Sequence, residues 1–219
     1  RTSPTMLKDN EAQVANNAKL YSGEMRAWGG QAAVAATLPT PANTVYRLYN
    51  TIADTSIWLA WSQDVDVTLS PAADTSDFRV YYTDGAAPKK TNWTLAQTAG
   101  AGAFPRAYQT MGVVAPVAAP TSALISGGAL ASNETRSYVY TNVNTFGSIL
   151  EESAPSPAHD IVVTAGNDLQ LTLPAYTPPA NTNITERRIY RSLGSNYLYV
   201  ATVAFSTGSA QTYLDTLTS

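Results

Sequence analysis

Two adjacent carboxylates, Glu151 and Glu152, a single histidine, His159, and a run of aspartates, Asp64, Asp66, Asp74 and Asp77, are the residues of this 219-residue chain whose types suit chemistry. A carboxylate pair can run the acid and base steps of glycoside hydrolysis, but only when the two groups flank one bond. Neighbours on a strand point to opposite faces, so Glu151 and Glu152 form no such pair without a bulge. His159 follows "APSPA" and reads as an exposed loop histidine. With no cysteine in the chain, one imidazole does not make a zinc cluster. None of the serines sits in a Gly-x-Ser-x-Gly elbow. The aspartates lack the EF-hand spacing with its central Gly and terminal Glu. Asp64 and Asp66 share one strand face, the other two fall in a loop, and all four read as solvated carboxylates. The sequence therefore assigns no catalytic, cofactor-binding or metal-binding residue, and the expectation is a protein that is not an enzyme and carries no cofactor.

Other residues suit binding. Trp58 and Trp61 in "WLAW", with Trp93, offer an aromatic platform for sugars, although sheet cores use the same residues more often. Lys89 and Lys90 in "PKK", and Glu186 to Arg188 in "ERR", are too short to be basic patches and read as solvated faces. The sequons at Asn92, Asn133 and Asn183 matter only in a secretory pathway. A formal charge of −3 and a pI near 5.1 leave no basic excess to neutralise a phosphate backbone, which argues against tight nucleic-acid binding. No apolar run approaches the ~18 residues that read as a membrane helix, so no membrane insertion is expected.

The elements that would position these residues are mostly strands. Residues 1–43 read as a helix–hairpin segment: Asp9 or Asn10 caps "EAQVANNA", and "AKLYSGEMRAW" alternates around a Ser22-Gly23 turn, bringing Leu20 beside Met25. Residues 44–112 hold "TVYRLYN", "SIWLAW", "VDVTLSP" and "FRVYYT", short β-branched and aromatic runs with period two. They predict an antiparallel β region of the kind that belongs to a propeller or a larger sheet. A linker near 113–120, "VVAPVAAP", leads into residues 113–219, where about seven short strands outline an immunoglobulin or fibronectin III-like β-sandwich. Its firmest element is a hairpin over "RRIYRSLGSNYLYVATV". The start at Arg1, without Met, reads as a processed product or a segment of something longer.

The opening "PTMLKDNEAQVANNAKLYSGEMRAW" resembles the N-terminal signature of tailed-bacteriophage virion proteins of the tail nozzle or tail tubular type. "TSDFRVYYTDGAAPKKTN" resembles a second segment of that family, and "YVYTNVNTFGSILEESAPSP", "NITERRIYRS" and "TYLDT" resemble its fibronectin-like stretch. A departure falls at Ala27–Gly30, where the family pattern carries a proline. The resemblance implies a non-enzymatic structural subunit of a phage tail located in the virion, part of a ring of about six copies through which DNA exits, with adjacent tail proteins as partners. The alternative from another class is a glycan- or cell-surface-binding β-sandwich.

Overall fold

The fold is described from a computed structural model, covering residues 18–19, 26–27, 38–71, 77–192, 194 and 196–216. The chain divides into two compact units, Arg1–Ala35 and Ala36–Ser219. In the first, β1 (Ala18–Lys19) pairs antiparallel with β2 (Arg26–Ala27), setting Lys19 opposite Arg26. The two arms of the expected hairpin are thus paired. Ala18, the last residue expected in the preceding helix, belongs to β1. The rest of that helix, the Ser22-Gly23 turn and the Leu20 and Met25 pair lie outside the described residues.

The second unit is mainly β and antiparallel. β3 (Thr44–Asn50) and β4 (Thr55–Trp61) form a hairpin. At its turn the Asn50 side chain accepts from the backbone N–H groups of Ile52 and Ala53, the local bonding that suits asparagine to turns. β5 (Asp66–Leu69), β6 (Val80–Thr83), β7 (Lys89–Thr91) and β8 (Gln109–Thr110) make a second sheet in that order. A single-turn helix, α1 (Trp93–Ala96), intervenes, its first turn capped by the Asn92 side chain accepting from Leu95 N–H. Leu48, Ile57 and Leu59 from the hairpin, Val80 from the second sheet, Phe78 just before it, and Ala96 from the helix share one core. Period-two alternation puts the apolar side chains on one face of each sheet, and the two faces bury each other. Trp61 and Trp93 pack against this core.

The remaining chain is a sandwich. β9 (Thr121–Ser126), β13 (Asn167–Leu173) and β16 (Gln211–Asp215) form a three-stranded sheet with β13 central. β10 (Glu134–Phe146), β11 (Ile149–Glu152), β12 (His159–Val163), β14 (Glu186–Ser192) and β15 (Tyr197–Ala204) form the facing sheet. β10 runs through thirteen residues. It pairs with β14 on one side and, on the other, with β12 along its first half and β11 along its second. Tyr138, Tyr140 and Ile189 from this sheet meet Leu169, Leu171 and Leu173 from the other in a common core. Consecutive strands β9 and β10 lie in different sheets, and β9 pairs with β13. The hairpin of β14 and β15 closes with Ser192 opposite Tyr197, at the place its turn residues predict, and carries a bulge at Ile189/Tyr190.

Charge ties the two sheets together at the far end of β16. Asp215, 1% exposed, accepts from the Tyr138 hydroxyl, lies 3.6 Å from an Arg136 nitrogen and 3.1 Å from one of Arg191. Arg136 is itself buried and donates to Glu134 at 3.0 Å. The other end of β16 has a second tie: buried Arg187 donates to the Gln211 side chain at 2.8 Å and to Pro174 O at 2.7 Å, with its guanidinium over the Tyr140 and Phe205 rings. Glu186–Arg188 is therefore no solvated face, because its central arginine is a core cross-link. Both ties bond charged groups that desolvation would otherwise make unfavourable.

Truncating Asp215 removes the carboxylate shared by Arg136 and Arg191 at the edge of a dry interior and leaves Glu134 beside Arg136. Asp215→Ala is expected to lower stability by about 3–5 kcal/mol in urea unfolding, and a loss under about 1 kcal/mol counts against the clamp. Burial, and after it the bond to Asp215, pushes the Tyr138 phenol above its ordinary 10.0. Stabilisation from a raised group is complete below the ordinary value and disappears as pH rises through the raised one. Stability should accordingly fall on the alkaline side, and Tyr138→Phe should flatten that limb when unfolding is followed against pH.

Candidate functional site

Even-numbered residues of β10 share one face of that strand. Over its first half this face enters the sandwich core through Tyr138 and Tyr140; over its second half it carries Asn142, Asn144 and Phe146, all buried, toward the sheet of β5 to β8. The Asn142 amide donates to Val114 O at 2.9 Å, anchoring the alanine- and proline-rich connection. Asn144 Nδ2 donates to the Gln109 side chain at 2.9 Å and to Glu151 Oε2 at 3.0 Å. The same Glu151 oxygen receives Lys90 Nζ, and Lys90 Nζ lies 4.8 Å from the centre of the Phe146 ring. Lys90 is 1% exposed, so the expectation of a solvated "PKK" face is overturned at this residue. A lysine on a short strand escapes water only where a neighbour supplies an acceptor, and Glu151 does so from across the junction.

A second contact crosses the same junction. Asp77 Oδ2 accepts from Ser148 N–H at 2.8 Å and from the Ser148 hydroxyl at 3.2 Å, while Asp77 O accepts from Trp93 N–H. Asp77 is therefore a structural acceptor in place of the expected solvated carboxylate. Phe78 beside it has a left-handed φ of 46°, uncommon for a bulky residue, and its ring meets Trp93 edge-on at 6.3 Å. Ser148 belongs to the turn Gly147-Ser148 between β10 and β11. Gly147 has φ +60°, and a Cβ there would come within 1.8 Å of Asp77 Oδ2. Both the positive φ of a two-residue hairpin and the approach of Asp77 require glycine. Beside this contact lies an open cleft of about 360 Å³ lined by Asp77, Asn92, Thr94, Gln109 and Phe146 among others.

The other residues singled out by type fall elsewhere. Glu151 and Glu152 do point to opposite faces. On the outer face Glu152 accepts from Thr141 at 2.6 Å, from the Tyr190 hydroxyl at 2.5 Å and from Arg188 at 3.0 Å. Partial burial raises its pKa, but the bonds from Thr141, Tyr190 and Arg188 outweigh it and leave the carboxyl below its ordinary value. Tyr190 meets Tyr199 edge-on at 6.0 Å. The neighbouring Tyr197 hydroxyl bonds Ser137 at 2.7 Å, so three tyrosines share this face. His159 opens β12 instead of occupying a loop. It is half-buried, and its Nε2 lies 2.8 Å from Ser122 Oγ of β9, an inter-sheet bond. Asp64 and Asp66 are exposed as expected, and Asp74 lies outside the described residues. Trp61 stacks obliquely on Tyr82 at 5.1 Å, so it and Trp93 serve the core. Asn92 is buried as a helix cap, whereas Asn133 and Asn183 are exposed. Among the described residues no group of three or more His, Asp or Glu side chains is placed to hold a metal ion, and no helix is long and apolar enough to cross a membrane.

Sequence reasoning missed the cluster of Lys90, Asn144 and Glu151. A signal existed in "SYVYTNVNTF", where Asn142 and Asn144 fall on the face of the strand that Tyr138 and Tyr140 use. Polar groups at core-facing positions must meet partners. Compared with known proteins, the chain matches no family model and no curated sequence.

The tight packing at Gly147 makes a measurable demand. Gly147→Ala should destabilise the protein by more than about 1 kcal/mol. Combined with Asp77→Ala, which removes the colliding carboxylate, the two losses should sum to more than the double variant shows in a double-mutant cycle. Strict additivity in denaturant unfolding would speak against the contact.

Proposed function

We propose that the chain is a non-enzymatic structural subunit of a bacteriophage tail, a nozzle-type ring component of the virion through which DNA exits. Its partners in this reading are further copies of itself and adjacent tail proteins. The observation that carries the assembly part of this reading is the apolar character of the sandwich margins. Leu124 and Ile125 on β9, Val162 on β12, Leu214 on β16 and Tyr197, Leu198 and Tyr199 on β15 are all exposed, Leu198 at 70%. β9, β15 and β16 are end strands of their sheets. Exposed apolar side chains on strand edges favour burial against another chain. The phage assignment itself rests on the sequence resemblance. An acidic subunit suits a channel that must pass a polyanion without gripping it.

A second reading, a glycan-binding sandwich, is favoured by the outer face of Tyr190, Tyr197 and Tyr199 beside Glu152 and Arg188. Aromatic rings with adjacent hydrogen-bonding groups suit the faces and hydroxyls of sugars. Light scattering after chromatography separates the two. The tail reading expects a closed ring of about six copies, alone or on a tail partner. A stable monomer under both conditions, with tyrosine and tryptophan fluorescence altered by added saccharide, would replace it with the glycan reading.

A further inference from the structure

We infer that Lys90 and Asn144 are joined by a self-catalysed isopeptide bond, with Glu151 as the acid/base, so that a covalent staple links the β5 to β8 sheet to the sandwich. Four observations meet at this point. Lys90 carries a primary amine at 1% exposure, where water cannot compete as nucleophile. Its Nζ and the Asn144 amide nitrogen contact the same atom, Glu151 Oε2. The two nitrogens are therefore two hydrogen bonds apart at most, roughly 6 Å, within the swing of a lysine side chain. Phe146 covers the amine, making the surroundings apolar. Finally, Asn144 Oδ1 is buried with no hydrogen-bond partner, a costly orphan that a turn of the amide toward a protonated Glu151 would satisfy.

The chemistry balances without any added reagent. Glu151 takes one proton from the Lys90 ammonium along their hydrogen bond, which removes the charge from the buried lysine, a change that burial favours. The free amine attacks Asn144 Cγ, and a C–N bond forms. A second proton passes from the attacking nitrogen to Nδ2, the Cγ–Nδ2 bond breaks, and ammonia leaves. One hydrogen remains on the new amide nitrogen. Glu151 ends protonated. One amide replaces another, so no oxidant or reductant is involved. Positioning does most of the work, since nucleophile, proton acceptor and acyl group are held together by the fold, and exclusion of water protects the intermediate.

The fold also supplies a reason for such a bond. Lys90 stands on β7, and Asn144 and Glu151 stand opposite each other on β10 and β11. The link spans the boundary between two cores that the hydrogen bonds of Asn144 to Gln109 and of Ser148 to Asp77 also cross. Cross-linking two segments far apart in sequence also restricts the unfolded chain, as a disulfide does, in a protein without cysteine.

The test is the intact mass of the full chain in denaturant, followed by peptide mapping. The expected result is a mass lower than the sequence mass by one ammonia, with the peptides containing Lys90 and Asn144 recovered as one branched species. Glu151→Gln and Lys90→Arg should each restore the full sequence mass. A wild-type chain at its full sequence mass overturns the proposal. So does loss of one water with Lys90 joined to Glu151, which moves the bond to a different acyl group. A Glu151→Gln chain that still loses ammonia overturns the role given to Glu151. The wild-type measurement does not depend on any variant folding.

Discussion

β10 has to satisfy two different neighbours with one face. Its even-numbered side chains begin with the charged and aromatic group of Arg136, Tyr138 and Tyr140 against the three-stranded sheet. They end with Asn142, Asn144 and Phe146 against residues from the preceding β region. A strand of ordinary length would serve one of these partners. At thirteen residues it reaches both. β11 and β12 share its one edge in succession, and β14 takes the other. A slip of one residue would turn all these side chains to the wrong face. The inward charges make the register strict, since Asp215 and Arg187 accept only the partners found at the present alignment.

Several ion pairs of this protein are accordingly used inside. Arg136, Arg187, Lys90 and Asp215 are among its most buried side chains, each meeting an opposite charge, a ring or a carbonyl from another sheet. Buried pairs of this kind add little stability over an apolar replacement, but they penalise any arrangement that leaves one member alone. They suit a molecule whose sheets must meet in one orientation. The outer faces carry the partly exposed pairs of Arg188 with Glu152 and Glu186 beside threonine, serine, tyrosine and scattered aliphatic residues.

Much of the architecture was legible in the order of residues. The period-two runs at 44–50 and 186–192 became strands with those bounds, and the run at 56–61 became one that begins a residue earlier, at Thr55, because β-branched and aromatic residues between turn formers leave few other ways to bury one face. The hairpin turn near Gly194 followed from its small and polar residues. Three readings failed for a shared reason. Lys90, Arg187 and Asp77 were assigned to water from local composition, yet their partners Glu151, Gln211 and Ser148 lie 61, 24 and 71 positions along the chain. Charge is a good guide to exposure only where no acceptor arrives from elsewhere. His159 failed more narrowly: the prolines before it suggested a loop, while pairing with β10 made its segment a strand.

What the chain determined by itself is what composition and adjacent residues can decide: strand periodicity, turns, the absence of thiol chemistry, and an acidic net charge. What only the tertiary structure decided is which sheets the strands join and which polar side chains meet. β9 passes over its sequence neighbour to pair with β13, and Glu151 finds Lys90 across the junction while Glu152, one residue on, turns to Tyr190. Alternation along a strand is a local rule of backbone geometry, so it can be read from a few residues. The choice of partner is a competition among all segments for burial and for hydrogen bonds, and it is settled only when the whole chain has closed on itself.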